Sequence, residues 1–196
     1  MLVSTALERH FEAVLATGDR FFAERAGELA NACWGMARRF HKGGKLLVYS
    51  GGGADFSDAQ HNAVEFMHPV IVGKRALPAV SVRSAADLLL LGGPDDITMG
   101  VTGGSLDSLP AGLMVAFGDS GDSDALHSFA VGAGDPLVAQ EIQETAYHEL
   151  WELVHVFFEH EGLLAEACTD DVCITCGDVA LQGAVVKIKG STALVR

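Results

Sequence analysis

Apolar residues recur at helical spacing through the first part of the chain, at Leu7, Phe11, Val14, Leu15, Phe21, Phe22, Leu29, Cys33, Met36 and Phe40, with no intervening proline. Two helices, or one long helix interrupted near Gly18, satisfy this pattern. The glycines at Gly43 and Gly44 stop it, and Lys45 to Ser50 then reads as a continuously apolar strand of a parallel sheet. Three glycines, Gly51 to Gly53, form a turn, and Asp55 to Met67 reads as a helix closed by His68 and Pro69. Ala79 to Val82 and Ile97 to Val101 read as further strands, each followed by a polar or glycine-containing loop. Beyond Gly103 the pattern is ambiguous. Asp107 and Pro110 could open a helix, and Leu113 to Phe117 is either its end or a strand. Gly118 to Asp124 is an acidic, turn-rich loop. Pro136 opens a long helix to about His160, with Val138, Ile142, Ala146, Leu150, Leu153, Val154 and Phe157 on one stripe. The alternation predicts an α/β protein: a three-layer α/β/α sandwich with a parallel, flavodoxin- or Rossmann-like sheet. The long N-terminal helices need another apolar surface, which a second subunit would supply. Two β-like pieces, Ala184 to Ile188 and Ala193 to Val195, end the chain, so residues 1–165 are expected to form the main domain and 166–196 a cysteine-containing β-rich tail.

Composition narrows the function classes. The 196 residues suit one α/β domain with a small appendage, and no apolar run approaches the roughly 18–20 residues of a membrane span. The N-terminus lacks a basic start followed by an apolar core, so the expected location is the cytoplasm. A formal charge of −13 and a pI near 4.8 argue against nucleic acid as a partner. Four cysteines, three of them clustered at Cys168, Cys173 and Cys176, are too few and too uneven for a disulfide scaffold.

A strand feeding a glycine turn and a helix start presents backbone N–H groups to an anion, which makes Gly52 and Gly53 candidate phosphate contacts. His61 and Glu65 follow, four residues apart, so their side chains share a helix face and could bind a metal or act on one substrate. On spacing alone, an ordinary surface or capping role is the commoner explanation. The C-terminal helix offers Gln140, Glu141, Glu144, His148, Glu152 and His155, among which Gln140 and His148 are two turns apart and share a face. Ser50, Ser57, Thr102, Ser105 and Ser108 lie in or near loops that follow strands, where ligands of open parallel sheets bind. Turn and N-cap roles account for most such hydroxyls.

The run from Gly51 through Asp58-Ala-Gln-His61, Glu65-Phe66 and His68 to Pro78, ending Lys74-Arg-Ala-Leu-Pro78, resembles the SIS (sugar isomerase) domain of the phosphoheptose isomerase family. The resemblance spans about Thr5 to His160. It implies a zinc site at His61, Glu65, Gln140 and His148, with Glu65 and His148 as base and acid moving a proton between adjacent carbons. It also implies a phosphorylated seven-carbon sugar as substrate (sedoheptulose 7-phosphate converted to heptose 7-phosphate through an enediolate) and a homodimer or homotetramer with sites completed at subunit interfaces.

Two loops depart from the family pattern. Asp55 stands where the family has the serine of its glycine loop, and Val101-Thr-Gly-Gly-Ser105 stands where Thr-Ser-Gly-Asn-Ser is expected. An ionised carboxylate about 4 Å from one phosphate charge costs on the order of 4 kcal/mol at an effective dielectric near 20, roughly a thousandfold in binding. Retained metal ligands with an altered cradle imply a changed substrate or a domain that binds without turnover, as a phosphosugar-binding regulatory protein would. The tail, from Cys176 through Ile188 to Val195, resembles the opening of HypC/HupF-type hydrogenase maturation chaperones, and Cys173 and Cys176 have the spacing of half a zinc site or a redox pair. That resemblance implies the alternative of a non-catalytic module with a hydrogenase maturation partner.

Overall fold

In a computed structural model, residues 2–50, 55–101, 112–117, 127–164, 185–189 and 192–195 are described. Helix α1 (Leu2–His41) is continuous over 40 residues. Gly18 does not interrupt it. A Cβ there would meet the Ile142 side chain at 3.1 Å, so this glycine lets the last helix approach closely rather than breaking the first. The helix ends in a Schellman arrangement, with Gly43 at φ 89°, its N–H donating to the Phe40 carbonyl and the Gly44 N–H donating to the Arg39 carbonyl.

Strand β1 (Leu46–Tyr49) follows, then helix α2 (Asp55–Met67), strand β2 (Ala79–Val82), helix α3 (Ala85–Leu91), and strands β3 (Ile97–Val101), β4 (Leu113–Phe117) and β5 (His127–Phe129). Helix α4 runs over Pro136–Glu159, with Asp135 as its N-cap accepting from the Leu137 N–H and Pro136 in the first turn. The segment Leu113–Phe117, ambiguous in sequence, is a strand: it pairs in parallel with β3 on one side and β5 on the other.

All five strands are parallel in the order β2-β1-β3-β4-β5. Alternate strand residues Leu46, Val48, Ile97, Met99, Val101, Val115 and Phe117 join one core with α1, α2 and α4, whereas Leu47 and Val82 pack with Leu88 of α3 in a separate cluster. The helices therefore cover both faces, the expected three-layer arrangement. From β1 the chain moves to one neighbour, β2, and then crosses to the other, β3. Such a reversal opens a crevice at the carboxyl ends of β1 and β3, where open α/β sheets bind ligands. No helix among the described residues is long and apolar enough to cross a membrane.

In the tail, β6 (Val185–Lys189) and β7 (Thr192–Val195) pair antiparallel with each other as a separate two-stranded sheet. Cys168, Cys173, Cys176 and the sequence-suggested helix start at Asp107 and Pro110 lie outside the described residues.

Candidate metal and acid–base centre

Helix α2 buries Ala59, Ala63 and Phe66 in the core, which fixes its rotation and turns His61 and Glu65 sideways. Helix α4 lies on the same face of the sheet, burying Val138, Ile142, Ala146, Leu150 and Val154, and carries His148 on the flank that faces α2. The side chains of His61, Glu65 and His148 meet in this seam. Their ligand atoms all lie within 4.8 Å of one another. His61 Nε2 is 3.4 Å from Glu65 Oε1, and the two imidazole rings have centroids 5.1 Å apart. The side chain of His61 is 42% exposed and that of Glu65 20%, so the cluster is reachable from solvent.

His148 Nδ1 lies 2.8 Å from the Glu144 carbonyl oxygen. A carbonyl only accepts, so Nδ1 carries the proton and the Nε2 lone pair of the neutral ring is left for a metal or a substrate proton. Gln140, two turns earlier, directs its Nε2 toward Asp58 Oδ2 and Glu144 Oε1, each at 3.5 Å. With the amide nitrogen facing carboxylates, the Gln140 oxygen is the end that remains for a cation. The four expected residues thus line one α2–α4 seam, three of them in direct proximity and Gln140 tied to it through Asp58.

Two participants escaped the sequence reading. Asp58 is buried one turn ahead of His61 and meets Gln140. Tyr147 is buried with its ring edge-on to His61, at 6.0 Å and 84°, and 5.2 Å from His148. Burial pushes the Tyr147 hydroxyl pKa up, and the carboxylates of Glu144, Asp58 and Glu65 add to the shift, so the phenol stays protonated. The available signal for Asp58 was an acid next to Ala59 on the apolar side of α2; Tyr147 stood outside the stripe read for the last helix and offered none.

The expected anion contacts fall unevenly on the structure. Ser57 sits exposed in the first turn of α2, with its hydroxyl 3.5 Å from Asp58 Oδ1. Ser50, at the end of β1, is buried and donates its N–H to the Val82 carbonyl. Asp55 opens α2, but its side chain, together with Gly52, Gly53, Thr102, Ser105 and Ser108, lies outside the described residues.

No protein-family model matches the chain. Individual relatives do. A phosphoheptose isomerase of Desulfovibrio desulfuricans is 30% identical over 180 residues, covering 75% of this chain and 85% of the relative. The chain belongs to the phosphoheptose isomerase family. A second family member, from Solidesulfovibrio magneticus, is 28% identical over 182 residues, covering 76% of this chain and 89% of its own length. Among solved structures, a phosphoheptose isomerase from Francisella tularensis superposes with a TM-score of 0.62 at 18% identity, covering 79% of this chain and 96% of that one. One from Neisseria gonorrhoeae gives 0.60 at 17% identity, covering 78% and 99%. At those identities the two structures establish the shared fold. Membership in this family favours the isomerase expectation over the hydrogenase-assembly alternative.

Proposed function

We propose that the protein is a zinc-dependent aldose–ketose isomerase of phosphorylated sugars, converting sedoheptulose 7-phosphate to a heptose 7-phosphate. The observation that carries this reading is the convergence of His61, Glu65 and His148 from two helices to within 4.8 Å, in a chain of the phosphoheptose isomerase family. Two imidazoles, a carboxylate and an amide oxygen are a nitrogen–oxygen donor set that suits zinc, and the lone pair left on His148 Nε2 by the Glu144 carbonyl fits that use. His61, Glu65, Gln140 and His148 would hold the ion, which when bound polarises the substrate carbonyl.

The proton transfers belong to the chain's own side chains. Glu65, reachable from solvent yet only 20% exposed, takes the proton from the carbon beside the carbonyl. His148, oriented by its Nδ1 hydrogen bond, serves as the acid toward the sugar oxygen through Nε2 when that lone pair is not given to the ion. Returning the carbon-bound proton at the neighbouring position completes the isomerisation. The protonated Tyr147 behind the two histidines walls the seam off from the core without adding charge.

Residues 1–165 carry this activity in the proposal, with 166–196 a separate tail. The exposed Leu7, Phe11 and Leu15, one turn apart on α1, support packing against another copy as a homodimer or homotetramer. Purified protein is expected to hold about one zinc per site and to interconvert the ketose and aldose phosphates. Glu65→Gln and His148→Ala are each expected to lower kcat by at least roughly a hundredfold. Wild-type protein with bound zinc and no conversion of sedoheptulose 7-phosphate would overturn the reading.

A further inference from the structure

Arg83 immediately follows β2, and β2 ends level with β1: Tyr49 and Val82 are register partners, and the Ser50 N–H donates to the Val82 carbonyl. Arg83 therefore leaves the carboxyl edge of the sheet beside Ser50, the residue that follows β1. Its guanidinium carbon lies 3.9 Å from the centre of the Phe56 ring, in the first turn of α2. That stacking fixes the guanidinium over the helix start while leaving its N–H groups free of any carboxylate among the described residues. Other cations near acids are engaged: Lys45 by Asp96, Lys74 by Glu152 and Glu159, Arg25 by Glu28. In a chain of net charge −13, an arginine held on an aromatic face at the carboxyl edge of the sheet, one strand from the β1–β3 crevice, is a specific feature.

We propose that Arg83 anchors the phosphate of the sugar phosphate, supplying the positive charge that an acidic residue at position 55, the first of α2, makes necessary. The inference rests on the sugar-phosphate reading above and identifies the residue that selects for phosphorylated substrate. A planar guanidinium can give two parallel N–H···O bonds to phosphate oxygens, which a serine-lined loop achieves with hydroxyls instead. Phe56 has a positioning role: it orients the fork without touching substrate.

The test is steady-state kinetics of wild type, Arg83→Ala and Arg83→Lys with sedoheptulose 7-phosphate, alongside calorimetric titration with the same compound and zinc analysis of each protein. Arg83→Ala is expected to raise KM and the dissociation constant roughly 10- to 100-fold, as loss of a charge-assisted hydrogen bond does, with kcat changed less than about threefold and zinc content unchanged. Arg83→Lys, which keeps the charge and loses the fork, is expected to recover part of that loss, and added salt to narrow the gap between wild type and Arg83→Ala. Wild-type turnover with KM unaltered in Arg83→Ala would overturn the Arg83 assignment and leave the isomerase reading standing. Wild-type protein that neither binds nor converts the compound would overturn both.

Discussion

Lys74→Met tests whether the connection between α2 and β2 is fastened to α4 by charge. The Lys74 ammonium lies 2.9 Å from Glu152 Oε1 and 2.8 Å from Glu159 Oε1, two carboxylates seven residues apart on one face of α4. The lysine side chain is 9% exposed, whereas the carboxylates are 43% and 53% exposed, so solvent screens each pair on its acidic side. Half-exposed pairs of this kind contribute about 0.5–1 kcal/mol each, giving about 1–2 kcal/mol for the bifurcated set. Methionine keeps most of the buried stem, which isolates the charge; alanine would add the loss of about two buried methylenes. For a chain of this length the charge term corresponds to a fall in Tm of about 2–8 °C. The pH dependence follows from both partners. Lys74 holds the Glu159 carboxyl below its ordinary value of 4.5, so that contribution is present above 4.5 and fades as pH falls through the depressed value. Burial alone would push the Lys74 ammonium down, but hydrogen bonds to Glu159 and Glu152 outweigh it and hold the group above its ordinary 10.5, so its contribution is full below 10.5 and fades at higher pH. Calorimetric scans of wild type and Lys74→Met at pH 7 and pH 3 check the reasoning: the gap in Tm should be open at pH 7 and narrower at pH 3. A gap of equal size at both pH values, or none at pH 7, refutes it.

Gly44→Ala should be severely destabilising, by about 3 kcal/mol or more in urea titration, because the new Cβ would run into the Asp95 carbonyl oxygen and lie 3.0 Å from the Arg39 carbonyl oxygen, both backbone atoms that cannot swing away. A stable, wild-type-like Gly44→Ala protein would show that the turn between α1 and β1 is built differently. Replacing Leu7, Phe11 and Leu15 together with serine should lower the mass measured by light scattering on a sizing column, since these exposed residues form an unpaired stripe on α1. An unchanged mass would remove that stripe from the subunit interface.

The parts of the fold that were legible in sequence are those whose pattern is local. Helix α2 and strand β1 follow from an apolar run, a glycine turn and a 3.6-residue period, and α4 from Pro136 and its stripe. Helix α3 was not legible as such. It has only seven residues, of which Leu88 alone is buried while Leu89, Leu90 and Leu91 are exposed, so the leucine run carries no helical period. Its one local sign was Ser84 three residues before Asp87, and the Ser84 side chain does accept from the Asp87 N–H. Strand β5 is three residues long and exists because β4 offers it an edge. Gly18 looked like a break because sequence cannot show that Ile142 needs the space. In the site, His61 with Glu65 was a one-helix pattern, but the proximity of His148, the buried Asp58 and the edge-on Tyr147 depend on how α4 crosses α2.

The geometry of α2 also bears on the length of substrate that the proposed site accommodates. At a rise of about 1.5 Å per residue, the six residues from Asp55 to His61 span about 9 Å and the ten to Glu65 about 15 Å. An extended seven-carbon sugar with a terminal phosphate has about eight bonds between its carbonyl end and phosphorus, about 10 Å at the per-bond length of an extended chain. With its phosphate at Arg83, such a molecule is long enough to reach the level of His61, five residues or about 7.5 Å on from Phe56, but it would pass around the start of α2, because at about 100° per residue Phe56 and His61 project about 140° apart. A three-carbon sugar phosphate anchored in the same place would stop about 5 Å short. In the proposed site the start of α2, with Arg83, would face the phosphate, and the flank carrying His61 and Glu65, with His148 from α4, would face the carbons between which the proton moves.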